Sequence, residues 1–167
     1  QEELGSLKDA AMATFKQVRY FIFELRPMML DDLGLVPTVK KYVSALKDNS
    51  GIELSALVSG GERRLESYLE AMIFRAIQEL LGNAITHSQA NQMKVQVEML
   101  DTAVRVSVED NGQGFDPESL EKDQGMSLKM IKERVEMIGG FFELDSQPGK
   151  GTHVSFQVPV HGPSIKE

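Results

Sequence analysis

Residues 104–115 read VRVSVEDNGQGF, a strand pattern that runs directly into a turn with two glycines. The first seven residues alternate apolar and polar side chains, the two-residue period of a strand with one buried face. Asp110 has the same parity as the three valines, so it is predicted to point inward. A carboxylate in that position needs a partner, and an amino group such as that of adenine would be a suitable donor. The alternative is that Asp110 lies past the strand end, as a turn residue.

The turn that follows places Gly112 and Gly114 on either side of a single residue. Glycine adopts backbone conformations closed to other residues and lets a ligand approach the main chain closely. An ordinary surface turn is the other interpretation of so short a pattern. The dinucleotide-binding fingerprint is excluded, because it requires six-residue glycine spacing leading into a helix.

A long helix is predicted from residue 66 to residue 88, where apolar side chains recur at three- and four-residue steps. Glu79, Asn83 and His87 are spaced four apart, so they stack along one side of this helix. Asn83 lies at the border of the apolar stripe, and its amide oxygen is a hard ligand suited to Mg²⁺. Glu79 could polarise a nearby proton donor. The alternative is that Glu79 and His87 are solvated helix residues.

Residues 149–152 read GKGT and lie between two strand-like runs, Phe141 to Asp145 and His153 to Val158. This pattern predicts a hairpin turn. It is too short and wrongly placed for a phosphate-binding P-loop, which leads into a helix.

Together these segments resemble the ATP-binding domain shared by gyrase, Hsp90, histidine kinases and MutL. The chain looks most like sensor histidine kinases of the DegS- and DesK-like group, whose partners are response regulators of the NarL/LuxR type. Two runs are characteristic of that group: ELRPMMLDDLGL at residues 24–35 and ERVEMIGG at residues 133–140. The resemblance implies an α/β two-layer sandwich of the Bergerat type, a mixed sheet with helices on one face, preceded by one long bundle helix.

The resemblance also implies two ligands, ATP and Mg²⁺, and gives roles to individual residues. Asn83 matches the family's Mg²⁺-binding asparagine and Glu79 the acidic residue of the same helix; these are the predicted catalytic residues. Asp110 matches the aspartate that pairs with the adenine amino group. The other predicted nucleotide-binding residues are His87, Gly112, Gly114, Gly125, Met126 and Thr152.

The chain departs from the family pattern at three places. Thr86 stands where relatives often carry a lysine, which puts one phosphate contact in doubt. The family has a second glycine motif at the end of the lid, the second glycine box; here Gln124 precedes Gly125 in place of a Gly-x-Gly pair, so this motif is incomplete. The lid between Phe115 and Gly125 is short, which excludes the long lids of gyrase-like ATPases.

Two other functions remain open on the sequence. The same pocket occurs in serine kinases that restrain a sigma factor, but the Leu-Arg-Pro linker at residues 25–27 favours a sensor kinase. The second alternative is a non-catalytic dimerisation module whose pocket is degenerate, for which Thr86 and the thin second glycine box leave room.

Composition limits the function further. The chain has 167 residues, no cysteine and a net charge of -7, and residues 1–44 are balanced, so the excess acid lies in the later part. This charge argues against nucleic acid binding, which favours a basic face. No apolar run is long enough to span a bilayer, so no membrane contact is predicted. The predicted localisation is cytoplasmic, either free or as the cytoplasmic part of a membrane-bound sensor.

Four segments are predicted along the chain. Residues 1–27 carry a narrow apolar seam, typical of a bundle helix, and the resemblance makes them the second helix of a dimerisation and phosphotransfer hairpin that forms a homodimer. Residues 28–34 are a linker, residues 35–161 the catalytic ATP-binding domain, and residues 162–167 a loose tail. None of the three histidines, His87, His153 and His161, lies in a phosphoacceptor motif; in the family that the chain resembles, the acceptor helix precedes this one, so the resemblance implies an acceptor before Gln1.

Overall fold

The computed structural model describes residues 28–119 and 122–160. The helices are α1 (Met28–Leu33), α2 (Leu35–Ser50), α3 (Ser67–His87) and α4 (Lys122–Met137), with a 3-10 turn at Pro117–Ser119. The strands are β1 (Glu53–Gly60), β2 (Gln92–Met99), β3 (Ala103–Asp110), β4 (Phe141–Ser146) and β5 (Thr152–Pro159). No helix of the described residues is both long and apolar enough to cross a bilayer.

The five strands form one mixed sheet in the order β1-β2-β3-β5-β4. β1 pairs with β2 in parallel, whereas the three other pairings are antiparallel. Helices α2, α3 and α4 pack on the sheet and bury the core against it. The predicted two-layer α/β sandwich is confirmed.

Strand β3 buries the predicted face. Val104, Val106 and Val108 are at most 4% exposed, and Asp110, the last residue of the strand, is 7% exposed. Asp110 pairs with Met93 on one side and with Thr152 on the other. It is therefore an inward-facing strand residue, and the interpretation as a turn residue past the strand end is wrong.

Helix α3 lies across this face of the sheet, within one residue of the predicted bounds at each end. Its buried stripe includes Leu69, Ile73, Ile77, Leu80 and Leu81, each at most 4% exposed. This burial fixes the rotation of the helix, so the side chains at its border are held at the edge of the core.

The predicted linker contains a helix. Residues 28–33 form α1, and Leu30 is 1% exposed. The chain then turns at Gly34, whose φ of +85° is in the left-handed region and whose N–H donates to the carbonyl of Leu30 at 3.1 Å. A six-residue helix is too short to show a period in the sequence, and burial of Leu30 is what stabilises it.

An ion pair with a buried carboxylate attaches α1 to α3. Glu70 is 1% exposed and accepts hydrogen bonds from Arg64 Nε and Nη2, both at 3.2 Å, and from the N–H of Leu65 at 3.1 Å. Arg64 Nη2 also donates to the carbonyl of Asp31 at 2.9 Å. Because the last carbonyls of a helix have no partner within it, the guanidinium caps the C-terminal end of α1.

The sequence predicts a helix from about Ser127, but helix α4 begins five residues earlier, at Lys122, and includes Gly125. One glycine in a helix costs only about 1 kcal/mol relative to alanine, which packing of the rest of the helix offsets. The lid is correspondingly shorter than the sequence predicted.

Three predictions fall on residues that the structure does not describe. They are the long helix at residues 1–27 with its dimerisation role, the tail at residues 162–167, and the placement of His161.

Candidate functional site

A cavity of about 160 Å³ lies between α3, the end of β3, the start of β5 and α4. Its apolar walls come from Leu80 and Ala84 of α3, Val108 of β3, Val154 of β5 and Leu128 of α4. The polar side chains that line it include Asn83, His87, Ser88, Asp110 and Thr152. A flat apolar group would bury its faces against these walls while its edge meets a few polar atoms.

Asp110 is the buried acid of this cavity. Its Oδ1 accepts a hydrogen bond from the N–H of Gly112 at 2.8 Å. Desolvation by burial raises the pKa of the Asp110 carboxyl above its ordinary value of 3.8, and hydrogen bonds from Gly112, Ser88 and Thr152 partly offset that rise. The carboxylate is therefore under-solvated, and an added hydrogen-bond donor in the cavity would stabilise its ionised form.

The turn that contains Gly112 and Gly114 packs closely against the backbone of neighbouring segments. A Cβ at Gly112 would lie 2.2 Å from the carbonyl oxygen of Ser88, and one at Gly114 2.1 Å from that of Gln147. The N–H of Gln113 donates to the carbonyl of Ser88 at 2.7 Å, and the carbonyl of Gln113 accepts from Gly149 at 2.6 Å. These contacts hold the turn between the end of α3 and the β4–β5 turn, so backbone packing already requires both glycines.

Thr152 belongs to a small hydroxyl cluster beneath the glycine turn. Its Oγ1 lies 3.0 Å from Oγ of Ser146, which is 6% exposed. Ser146 Oγ also accepts from the N–H of Phe115 at 3.0 Å and lies 3.1 Å from the carbonyl oxygen of Gly151. Ser146 thus fixes the start of the lid relative to β5.

On the opposite wall, the polar side of α3 reaches α4. Asn83 is half-buried, and its Nδ2 donates to Ser127 Oγ at 3.2 Å. Ser127 in turn donates to Oε1 of Glu79, an exposed residue one helical turn earlier. Thr86 donates to the carbonyl of Gly82 at 2.8 Å, so this residue is satisfied within its own helix.

The structure brings most of the predicted site residues to one place. Asn83, His87, Asp110, Gly114 and Thr152 line the cavity together. Gly112 lies beneath it, because its N–H holds Asp110.

Two predicted residues lie elsewhere. Glu79 and Met126 line a neighbouring groove between α3 and α4, and Met126 is 60% exposed. Gly125 precedes Met126 in α4. No Lys or Arg is among the described residues that line the cavity.

Sequence reasoning missed five residues of this region: Ser88, Gln113, Phe115, Ser127 and Ser146. Gln113 lies between the two predicted glycines and Phe115 directly follows them, so position alone could have indicated both. A lone serine carries no such signal, because serine is common in exposed positions as well.

Comparison with known proteins agrees with this geometry. Residues 69–162 match a family model described as histidine kinase-, DNA gyrase B- and HSP90-like ATPase. This segment contains all the cavity-lining residues named above.

Curated relatives match over most of the chain. The chain is 35% identical to the signal transduction histidine-protein kinase/phosphatase DegS of Brevibacillus brevis, over 95% of its own length and 41% of the relative. Identity to DegS of Bacillus subtilis is 36%, over 81% of this chain and 36% of that protein. A sensor-like histidine kinase of Chloroflexus aurantiacus is 38% identical, over 95% of this chain and 28% of that protein. The chain therefore spans less than half the length of these relatives.

Solved structures share the fold. Full-length ShkA, determined in complex with AMPPNP, superposes with a TM-score of 0.61 at 23% identity, over 78% of this chain and 30% of that one. The catalytic domain of histidine kinase ThkA superposes with a TM-score of 0.59 at 19% identity, over 77% of this chain and 93% of that domain. At these identities the likeness shows the fold alone.

Proposed function

Because this chain belongs to the histidine kinase-, DNA gyrase B- and HSP90-like ATPase family, we propose that its cavity binds ATP with Mg²⁺. Its similarity to DegS identifies it as a DegS-like histidine kinase ATPase domain. The proposal extends this to its activity: the domain supplies the γ-phosphoryl group for transfer to a histidine of the dimerisation region. From there it passes to an aspartate of a NarL/LuxR-type response regulator.

The observation that carries the proposal is a buried carboxylate at the end of an apolar cavity. Asp110 is 7% exposed and faces walls formed by Leu80, Val108 and Val154. A purine ring buries its faces on such walls, and the amino group of adenine donates to the carboxylate. Guanine carries an oxygen at the same ring position and would set one acceptor against another. The cavity therefore favours adenine.

Other residues that line the cavity suit the triphosphate. Asn83 offers an amide group and His87, one turn later on the same side of α3, an imidazole. An amide oxygen is a suitable Mg²⁺ ligand, and the bound ion would neutralise phosphate charge. Since no cationic side chain is among the described cavity residues, this neutralisation matters for an acidic domain. Glu79, one turn away, would polarise the proton of the accepting group.

Calorimetry with AMPPNP, a non-hydrolysable ATP analogue, tests the proposal on the 167-residue chain. We expect binding that requires an adenine base and is strengthened by Mg²⁺. The guanine analogue at the same concentration is the matched control. Absence of AMPPNP binding at millimolar concentration would contradict the proposal and favour a non-catalytic dimerisation module.

As the pH is lowered, nucleotide affinity should begin to fall at a higher pH than it would if Asp110 were an exposed aspartate. Desolvation raises the pKa of Asp110, so its carboxylate takes up a proton above the ordinary 3.8 as the pH falls. The protonated form accepts the adenine amino group less well, so binding weakens as the pH approaches that raised pKa from above.

The effect of the raised pKa on folding has the opposite sign. A raised folded-state pKa contributes stability below 3.8 that is lost as the pH rises through the raised value. The loss of affinity in acid is therefore not caused by Asp110 destabilising the fold. Measuring AMPPNP affinity from pH 8 downward, with circular dichroism at each pH, checks this. An affinity that stays constant while the fold is intact down to pH 4 would contradict it.

A further inference from the structure

Ser127 lies between the two predicted catalytic side chains and bonds to both. Its hydroxyl donates to Oε1 of Glu79 and accepts from Nδ2 of Asn83 at 3.2 Å. Glu79 and Asn83 are four residues apart on α3, whereas Ser127 belongs to α4. The hydroxyl therefore joins two groups of one helix through a side chain of another.

The direction of these hydrogen bonds is fixed by chemistry. An ionised carboxylate can only accept, so the single hydroxyl proton of Ser127 is committed to Glu79. The serine oxygen can then only accept from Asn83, which must present its amide nitrogen. Of the two amide atoms, only the oxygen can bind a cation. The nitrogen is thus held toward α4, and the oxygen is left for another ligand.

We propose that Ser127 is a positioning residue that fixes the orientation of the Asn83 amide, so that its oxygen is available to the Mg²⁺ that accompanies the nucleotide. This rests on the proposed function of the cavity. Glu79 has a second role in this arrangement, because its negative charge sets the direction of the hydrogen-bond chain. Since Ser127 is carried by α4, the orientation holds only while α4 packs against α3.

The arrangement explains why a residue outside the cavity matters to it. Glu79 lines the neighbouring groove together with Met126 and Ser127. Asn83 lines the cavity itself. Ser127 is the connection between these two spaces, and an amide free to rotate would present its oxygen to the ion for only part of the time.

The test measures AMPPNP affinity with Mg²⁺ and with EDTA, and takes the ratio of the two as the metal enhancement. We expect Ser127→Ala to lower the enhancement about tenfold, the scale of one hydrogen bond to a charged group. Affinity in EDTA should stay within twofold of wild type, because the adenine contact at Asp110 is unaltered. Ser127→Thr keeps the hydroxyl and should restore most of the enhancement.

Ser155→Ala is the matched control. Ser155 is also a half-buried serine, and its hydroxyl bonds to a carboxylate, Glu143 Oε2, at 3.4 Å, away from the cavity. The same change there should leave the enhancement unaltered.

A second variant removes no hydrogen-bonding residue but no longer fixes the direction of the chain of hydrogen bonds. In Glu79→Gln the amide nitrogen can donate to Ser127, whose proton then turns to the oxygen of Asn83. The enhancement should fall in this variant. It should fall much less when Glu79→Gln is made on the Ser127→Ala background, because the connection is already broken there.

The outcomes distinguish failure of this proposal from failure of the proposed function, ATP binding with Mg²⁺, on which it rests. If wild type binds no nucleotide, both fail. If wild type shows metal enhancement but Ser127→Ala retains it within twofold, only the role of Ser127 is overturned. The role of Ser127 is also overturned if Ser127→Thr lowers the metal enhancement as much as Ser127→Ala does. It is overturned as well if Ser127→Ala lowers the affinity in EDTA as much as the affinity with Mg²⁺. If Ser127→Ala does not fold, Ser127→Thr and Glu79→Gln still decide it.

Discussion

Replacing Arg64 with alanine is expected to lower the free energy of unfolding by about 3 kcal/mol, the scale for removing one partner of a buried ion pair. The cost arises at Glu70, which is 1% exposed and would keep a charge with only the N–H of Leu65 as a partner. Arg64 itself is about half exposed, which sets the expected value at the lower end of the range. Urea unfolding of both proteins at neutral pH measures the difference.

Lys40→Ala is the matched control for this substitution. Lys40 and Glu62 form an ion pair at 3.2 Å, but both side chains are more than half exposed. Solvent screens such a pair, so its loss should cost less than about 1 kcal/mol. Equal effects of the two substitutions would contradict the importance that we assign to burial of Glu70.

Removing both charges should cost less than removing one. In Arg64→Met with Glu70→Gln, no buried charge is left unpaired, so part of the stability should return. The remaining loss then measures the capping of α1, because Arg64 also donates to the carbonyl of Asp31. This cap ties the short helix to the rest of the described domain, so α1 should move with it.

The ion pair of Arg64 and Glu70 is a contact that could not be predicted from the sequence. Glu70 lies in the first turn of α3, where an acidic residue is expected in any exposed helix. Its burial depends on α1 covering it, and α1 is too short to leave a periodic signal. The prediction of residues 28–34 as a plain linker therefore missed the helix and its anchor together.

Long periodic elements were predictable for the opposite reason. The valines of β3 and the apolar stripe of α3 each repeat a burial pattern, and the pattern fixes which way neighbouring polar residues point. The convergence of Asp110 and Asn83, 27 positions apart in the chain, was instead predicted from the family resemblance. Both line the same cavity.

Single contacts between elements were beyond the sequence. Ser127 and Ser146 each bond, through the hydroxyl group, to a partner that lies 31 or more positions away. Nothing in the local sequence marks them, since their partners are determined by how α4 and the β4–β5 hairpin pack. The glycines show the same limit: they were predicted to admit a ligand, and the structure shows that backbone packing already requires Gly112 and Gly114.

Asp110 and Asn83, which line the same cavity, are held in place in different ways. Asp110 is held by the strand pairing and by the glycine turn, which are parts of the fold itself. Asn83 depends on a side chain from α4. Base recognition should therefore survive movement of α4, whereas the metal dependence should not.

Asp110→Asn should weaken AMPPNP binding about 100-fold, a loss of about 2.8 kcal/mol at 1.4 kcal/mol for each factor of ten. The oxygen of the introduced amide would still accept from the N–H of Gly112, so the amide nitrogen would face the cavity, opposite the adenine amino group. The amide nitrogen and the adenine amino group, both donors, then face each other in a site with little water. Binding loses the hydrogen bond to the carboxylate and leaves a buried donor unsatisfied. Isothermal calorimetry with Mg²⁺ measures the change.

The same substitution should also reduce the preference for adenine over guanine, because the new amide nitrogen can donate to the guanine oxygen. Glu109→Gln is the matched control, since it removes the adjacent carboxylate from the exposed face of β3 and should leave both affinities unaltered. Stability should not fall with binding, because burial disfavours the charged form of Asp110 and asparagine carries no charge. If Asp110→Asn bound AMPPNP within threefold of wild type while folded, the carboxylate would not be the adenine contact.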